Sequence, residues 1–349
     1  MSSGFAPQYP IEPISYEDWQ PPLYYLLLTP VYLLFDGALL PLRLMSLLLG
    51  TGIIIATFAL TRALWPEKAW AVLVATVFVA FLPQHVAILS SINNDSLSAL
   101  IVALLLWSLA RIIMRRQRGL AVENRQWLAN GILLGLGFIT KLTVYIIAPV
   151  ILITALLIYR GQWSTFIRAI LAVAIPSGLI GGIWWVRNVL VYGGFDPLAM
   201  SAHDAVVVGQ PRTSEWIAAY GTVETLQRFV ETTFRSFWGQ FGWMGVLMDP
   251  RIYQVLLIFT ALIAVGFLWQ LLRRSRESTS ESETEGRRTL VSILAITFLL
   301  NVALYLGYNL TFVQHQGRYL FAALIPIAIA VTAVSYTHLR AHETVLDLV

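Results

Sequence analysis

The sequence predicts an all-α polytopic membrane protein, and its composition, hydropathy and spacing of apolar runs each point that way. Of 349 residues, 58% are hydrophobic and only 12% charged, whereas a soluble domain carries about 25% charged residues. Mean hydropathy is +0.72, and long apolar runs recur at intervals suited to helices of about 20 residues, the length that crosses a bilayer. An ordinary soluble enzyme is excluded. The absence of cysteine also removes disulfide frameworks, thiol nucleophiles and thiolate metal sites.

Met1 to Gln20 is polar and proline-rich, with no basic segment leading into an apolar one, so it reads as a loop and not as a signal peptide. Pro21-Pro22 opens an apolar stretch from Leu23 to Phe35. As a helix it reaches only about 20 Å, short of the roughly 30 Å hydrocarbon core, which suits an interfacial or re-entrant element. Longer runs follow at 41–61, 69–84, 95–112, 127–140, 142–159, 166–187, 252–271, 290–309 and 319–334, giving nine expected spans. The split at Lys141 matters most, because losing one crossing there would invert the sidedness of every later loop.

If 1–40 lies outside, the inside loops are 62–68, 111–127, 160–168 and 272–289. They hold Arg62, Lys68, Arg111, Arg115, Arg116, Arg118, Arg125, Arg160, Arg168, Arg273, Arg274, Arg276, Arg287 and Arg288, most of the 23 basic residues. The long outer loop 188–251 contains only Arg212, Arg228, Arg235 and Arg251. This asymmetry obeys the positive-inside rule. The run 273–288 (RRSRESTSESETEGRR) lacks any apolar anchor and is expected to be a disordered cytoplasmic loop. Gly131, Gly135, Gly137, Gly178, Gly181 and Gly182 read as close helix-packing positions. Ser335 to Val349 (SYTHLRAHETVLDLV) breaks the composition and resembles a translated sequencing read-through, which leaves 1–334 as the transmembrane domain. Within that tail, His338, His342 and Glu343 mimic a metal-binding helix face by spacing alone.

The outer loop carries an amphipathic pattern. Phe229, Val230, Phe234 and Phe237 recur at helical spacing while Glu224, Gln227, Arg228, Glu231 and Arg235 take the other face. Trp238, Phe241 and Trp243 follow, aromatic residues that favour the headgroup region. A lid over a site and a packed loop both fit.

Four basic residues sit where spans meet the outer face: Arg43, Lys141, Arg187 and Arg318. Each alone could snorkel to lipid headgroups. Together, on the side poor in basic residues, they suggest a held anion, and a lipid-linked phosphate or pyrophosphate is the simplest. Carboxylates share that face: Glu17 and Asp18 before the short helix, and Asp95 after Asn93-Asn94. Asp95 could cap its helix, and Glu17 and Asp18 could be solvated loop acids. The functional alternative is that one of them takes a proton from an acceptor hydroxyl or orients a sugar while the basic set holds the phosphate leaving group.

These pieces resemble the GT-C superfamily of membrane glycosyltransferases, near the dolichyl-phosphate-mannose protein mannosyltransferase and aminoarabinose transferase group. The resemblance runs, in order, through Gln20-Pro21-Pro22-Leu23-Tyr24-Tyr25, Arg43, Asn94-Asp95, Gly135 to Lys141 (GLGFITK) and Trp184-Trp185-Val186-Arg187-Asn188 with Tyr192-Gly193. It ends at Phe237-Trp238-Gly239-Gln240-Phe241-Gly242-Trp243 and Gly317-Arg318-Tyr319-Leu320. It implies a multi-pass protein of a bacterial or archaeal inner membrane whose site faces outward. There an inverting transferase would move a sugar from a polyprenyl-phosphate carrier to a lipid, glycan or protein acceptor; no nucleic-acid partner is implied. Arg43, Lys141, Arg187 and Arg318, with Tyr319, would hold the carrier phosphate. Such proteins carry a catalytic acid, often an Asp-Glu pair, early in the first outer loop after a first span. This chain begins inside that loop and reads as truncated at both ends, so Glu17, Asp18 and Asp95 stand in as the catalytic carboxylates, and the fragment by itself could be inactive. Some relatives use a divalent cation; here the outer-side donors are carboxylates with His85, His203 and His315 scattered, and no metal site is assigned. A transporter or flippase of an anionic lipid or small solute is the alternative function. It would be expected to show ionisable groups near the bilayer midplane or repeated halves. The chain has few mid-span charges and no internal repeat.

Overall fold

The computed structural model describes residues 19–206, 210–274 and 281–346. Helix α1 (Leu23–Leu34) leads into the long α2 (Leu39–Leu64), and α3 (Ala69–Phe81) meets α4 (Pro83–Leu89) at a 60° bend. The bend falls at Pro83, which lacks the N–H needed to continue α3 and instead takes the first position of α4. Next come α5 (Asp95–Gln117), α6 (Asn124–Phe138), a 3-10 turn at Leu142–Ile146 continuing as α7 (Ile147–Ile158), and α8 (Trp163–Tyr192). Helices α9 (Met200–Val206), α10 (Thr213–Tyr220) and α11 (Thr222–Trp238) precede a small hairpin. Its strands β1 (Gln240–Phe241) and β2 (Val246–Leu247) pair Gln240 with Leu247 and Phe241 with Val246. The chain then runs through α12 (Pro250–Arg274), α13 (Glu281–Thr311), a 3-10 turn at Gly317–Ala323 and α14 (Leu324–Leu346).

The expected nine spans are corrected. Among the described residues six helices are long and apolar enough to cross a membrane, or seven if the bent α3–α4 pair is one span. The two that fall short lie on either side of Lys141. Helix α6 has 15 residues, about 22 Å at 1.5 Å each, and Leu142–Ile158 is also a short apolar helix. The break between them is real: Lys141 adopts an extended conformation at φ −165°, ψ 143°. The two legs run antiparallel, tied at their far end by Trp127 Nε1 donating to the Tyr159 hydroxyl at 3.2 Å. Of the stretch 273–288, Arg274 closes α12 and Glu281 opens α13, while 275–280 lie outside the described residues.

Burial sets which helices are central. The apolar window of α5 is 61% buried and that of α12 only 11%, so α5 is the core of the bundle and α12 lies at its edge. Leu105, Leu109 and Ile112 of α5 are fully buried with Leu60, Ile147 and Ile293. Buried hydroxyls inside the bundle are satisfied locally: Thr57, Thr61, Thr154 and Thr297 each donate to the carbonyl four residues back, at 2.8 Å. Helix α6 lies so close to α8 that a Cβ on Gly131 would stand 2.6 Å from the Val173 carbonyl oxygen. Gly178 and Gly182, by contrast, face open space.

One end of the bundle gathers the connections between helices. Leu23 N–H donates to the Ile139 carbonyl at 3.0 Å, joining the start of α1 to the end of α6. The fully buried Tyr24 hydroxyl pairs with Ser46 Oγ of α2 at 2.6 Å and accepts from Asn93 N–H at 2.9 Å. Gln20 Oε1 accepts from Asn94 Nδ2 at 2.7 Å, and Gln84 Oε1 accepts from Gln240 N–H at 2.8 Å. These bonds carry the loop before α5, the break at Lys141 and the hairpin to a common end.

Candidate functional site

The loop Asn93-Asn94 aims Asp95. Helix α5 needs an acceptor for its first free N–H groups, and Asn93 provides it: Asn93 Oδ1 accepts from Asp95 N–H at 2.9 Å. The Asp95 carboxylate makes no cap. It receives Lys141 Nζ at 2.5 Å instead, with both side chains mostly buried at 25% and 18% exposure. The extended backbone at Lys141 is what brings that amine across from the end of α6.

Arg318 joins from the 3-10 turn Gly317–Ala323. Helix α11 fixes this turn through Ser236, whose Oγ accepts from Gly317 N–H at 2.7 Å and donates to the Thr232 carbonyl at 2.5 Å. A Cβ on Gly317 would lie 2.3 Å from the Thr233 carbonyl oxygen and 2.5 Å from the Phe237 nitrogen, so only glycine permits this approach. Phe237 packs edge-on against Phe321 of the same turn. The amphipathic face expected on α11 therefore serves partly as a clamp on the arginine turn. Its Leu226 and Val230 remain exposed.

The three parts meet at a cavity of about 20 Å³ lined by His85, Asp95, Ser98, Thr143, Arg318 and Tyr319 among others. Arg318 Nε is buried there without a hydrogen-bond partner. A buried guanidinium N–H with no acceptor is costly, and an oxygen of a bound anion would satisfy it. Lys141 and Arg318, and after them His85, act electrostatically on Asp95. The site is thus one carboxylate between two positive charges, with a free donor on its wall.

The structure divides the expected residues. Asp95, Lys141, Arg318 and Tyr319 converge. Arg43 does not: it is exposed on α2 and, among the described residues, has no polar partner, as a cation turned outward from the bundle at the start of a span would be. Arg187 also stands apart. Its Nη1 donates to Asn188 Oδ1 at 3.1 Å and the Tyr192 hydroxyl at 2.9 Å, and the guanidinium lies 4.7 Å from the centre of the Trp184 ring. Neighbours on its own helix absorb this charge, which spacing along the sequence could not reveal. The two groups are linked by Trp19 and Gln20: the Trp19 carbonyl accepts from Trp184 Nε1 at 3.3 Å while Gln20 holds Asn94. Glu17 and Asp18 lie outside the described residues.

His85, Ser98 and Thr143 are cavity residues that the sequence did not single out as a set. His85 follows the proline that breaks α3 from α4, which is the one local sign that its backbone is specially placed. Among the described residues no three potential metal ligands converge. The carboxylate and imidazole of the cavity, one of them already paired with Lys141, do not by themselves form a donor set for a divalent cation.

Residues 19–185 match the family described as dolichyl-phosphate-mannose-protein mannosyltransferase. Two solved structures of the oligosaccharyltransferase from Archaeoglobus fulgidus share the fold. One, tethered to an acceptor peptide containing the NVT sequon, matches at TM-score 0.54 and 15% identity, covering 93% of this chain and 42% of that one. The other, in the apo form, matches at TM-score 0.53 and 13% identity, covering 95% of this chain and 44% of that one. The chain thus spans less than half the length of these proteins. No curated protein matches it. The family match covers residues 19–185, just under half of the chain, and the fold shared with the oligosaccharyltransferase structures extends over nearly its whole length.

Proposed function

We propose that the chain carries the membrane part of a glycosyltransferase that moves a sugar from a polyprenyl-phosphate-linked donor to an acceptor hydroxyl or amide outside the cell. The observation that carries this reading is the unpartnered, buried Nε of Arg318 in a cavity shared with Asp95. Arg318 and Lys141 would hold the carrier phosphate, and Tyr319 would flank it. In the reaction the acceptor oxygen or nitrogen bonds to the anomeric carbon, the bond from that carbon to the phosphate oxygen breaks, and the carrier leaves as a phosphate with one more negative charge. Two cations at that oxygen stabilise the charge as it develops. Asp95 would keep Lys141 in place between turnovers. The acceptor proton would pass to a carboxylate, for which Glu17 and Asp18, directly before Trp19, are the proposed groups.

The basic residues at the opposite end of the bundle support an outward-facing site. Arg111, Arg115, Arg116, Arg118 and Arg125 lie at or near the inner ends of α5 and α6, as the positive-inside rule requires of a cytoplasmic face. The test uses the full-length parent protein in bilayers with a set of radiolabelled polyprenyl-phosphate sugars, beside Arg318→Ala and Asp95→Asn. Sugar transfer that falls at least tenfold in both variants supports the proposal. Carrier bound and moved across the bilayer without sugar transfer would replace it with a transporter.

A further inference from the structure

We propose that Asn301 is a positioning residue for anion binding: its side-chain amide holds the turn that carries Arg318, so that the guanidinium stands ready for the carrier phosphate. This rests on the reading of Arg318 as part of the phosphate site and adds the residue through which α13 sets that arginine.

Asn301 is 1% exposed and lies inside the apolar span of α13, where a polar side chain is costly unless it is bonded. Two other buried helical asparagines, Asn130 and Asn309, turn their amides to the carbonyl four residues back, at 2.7 and 2.9 Å. Thr297, one turn before Asn301, does the same. Asn301 instead leaves its own helix, and its Nδ2 donates to the Tyr319 carbonyl at 3.1 Å. A carbonyl can only accept, which fixes the orientation of the amide. Its Oδ1 is buried and has no hydrogen-bond partner among the described residues. An apolar side chain would avoid that stranded oxygen, so what distinguishes asparagine here is its bond to the turn.

That bond completes a bracket around Arg318. On one side Ser236 of α11 accepts from Gly317 N–H at 2.7 Å, and on the other Asn301 of α13 donates to the Tyr319 carbonyl. The two helices are themselves joined. Tyr305, one turn beyond Asn301 on the same face of α13, pairs its hydroxyl with Thr233 Oγ1 of α11 at 2.6 Å and stacks its ring on Phe229 of that helix. The backbone on both sides of Arg318 is therefore fixed in the folded protein, at a residue whose buried Nε has no hydrogen-bond partner among the described residues. Ordering completed on folding need not be made again on binding, and a donor set in place beforehand meets an anion without reorganising.

The test measures binding by the full chain in lipid nanodiscs, with polyprenyl phosphate as the probe and the uncharged polyprenol as its control. Asn301→Leu is expected to weaken polyprenyl phosphate binding about tenfold and to leave polyprenol binding unchanged. Asn301→Gln, which keeps an amide donor, should recover part of the loss. In the Arg318→Ala background, adding Asn301→Leu should change the affinity no further, because the amide acts through the arginine. If Asn301→Leu does not fold, Asn301→Ala carries the same comparisons. Native affinity in the variant, an equal loss for polyprenol, or a loss that adds in full to that of Arg318→Ala overturns the inference while leaving the phosphate site standing. Failure of the native protein to bind polyprenyl phosphate, or native affinity in Arg318→Ala, would overturn the phosphate site itself, and this inference with it.

Discussion

Lys141 Nζ lies 2.5 Å from Asp95 Oδ1, joining the break after α6 to the first turn of α5 across 46 residues of sequence. Both side chains are largely withdrawn from solvent, and removing one partner of such a pair strands the other charge. Asp95→Asn and Lys141→Met are each expected to lower stability by about 3 kcal/mol. The double variant Asp95→Asn/Lys141→Met should lose less than the sum, since neither charge is then left alone. Thermal unfolding in detergent of the four proteins measures this. Additive losses would show that the pair does not couple the two helices.

The turn carrying Arg318 depends on Gly317. A methyl group there meets the Thr233 carbonyl oxygen at 2.3 Å and the Phe237 backbone at 2.5 and 2.7 Å, atoms of a helix that cannot rotate away. Gly317→Ala is expected to push α11 off the turn, break the Ser236 bond to Gly317 N–H and cost about 2 kcal/mol. Polyprenyl phosphate binding should weaken with it, because Arg318 moves while its chemistry is untouched. A variant that melts and binds as the native protein does would show that the contact is not needed.

Buried His315 supplies a pH dependence. It lies between α13 and the arginine turn, its ring edge-on to Trp216 and Phe229, and desolvation holds its pKa below the ordinary 6.5. A base whose folded pKa is depressed binds its proton more readily when unfolded. The stability it contributes is complete above pH 6.5 and is lost as pH falls through the folded value. Unfolding midpoints measured from pH 7.5 to 4.5 should fall on the acid side, and His315→Gln should flatten that fall. An equally steep acid limb in the variant would assign the dependence to other groups.

What the sequence could and could not disclose follows from the range of each interaction. Span positions were legible because apolar runs are local, and the break at Lys141 showed as a lone cation between two apolar runs. Asp95, Lys141 and Arg318 were legible as a group because each had to lie at the same end of its helix for the loop charges to obey one sidedness. The surroundings of Arg187 were not legible, because a guanidinium covered by Trp184, Tyr192 and Asn188 has the same sequence signature as one that waits for a ligand. The capping role weighed for Asp95 falls to Asn93, a choice between adjacent side chains that only geometry makes. Apolar runs alone could not fix the count of spans, since α6 has only 15 residues and opens on polar ones, and Leu142–Ile158 is a short apolar helix.

The hairpin that holds Gln84 stores strain at its tip. Trp243 and Met244 are both non-glycine residues with positive φ, 54° and 71°, directly after Gly242 at 55°. The left-handed region costs a residue with a Cβ about 1–2 kcal/mol. Gln240 keeps the tip folded, its Nε2 donating to the Met244 carbonyl and its N–H to Gln84, each at 2.8 Å. Trp243 is 93% exposed, so its side chain gives little packing in return. Trp243→Gly is therefore expected to raise stability in detergent by about 1 kcal/mol, the relief of strain exceeding the added freedom of the unfolded chain. The measurement is a chemical or thermal unfolding midpoint beside Gln240→Ala, which removes one restraint on the turn and should lower it. A loss of stability in Trp243→Gly would mean that the indole is bound to something that its solvent exposure does not reveal.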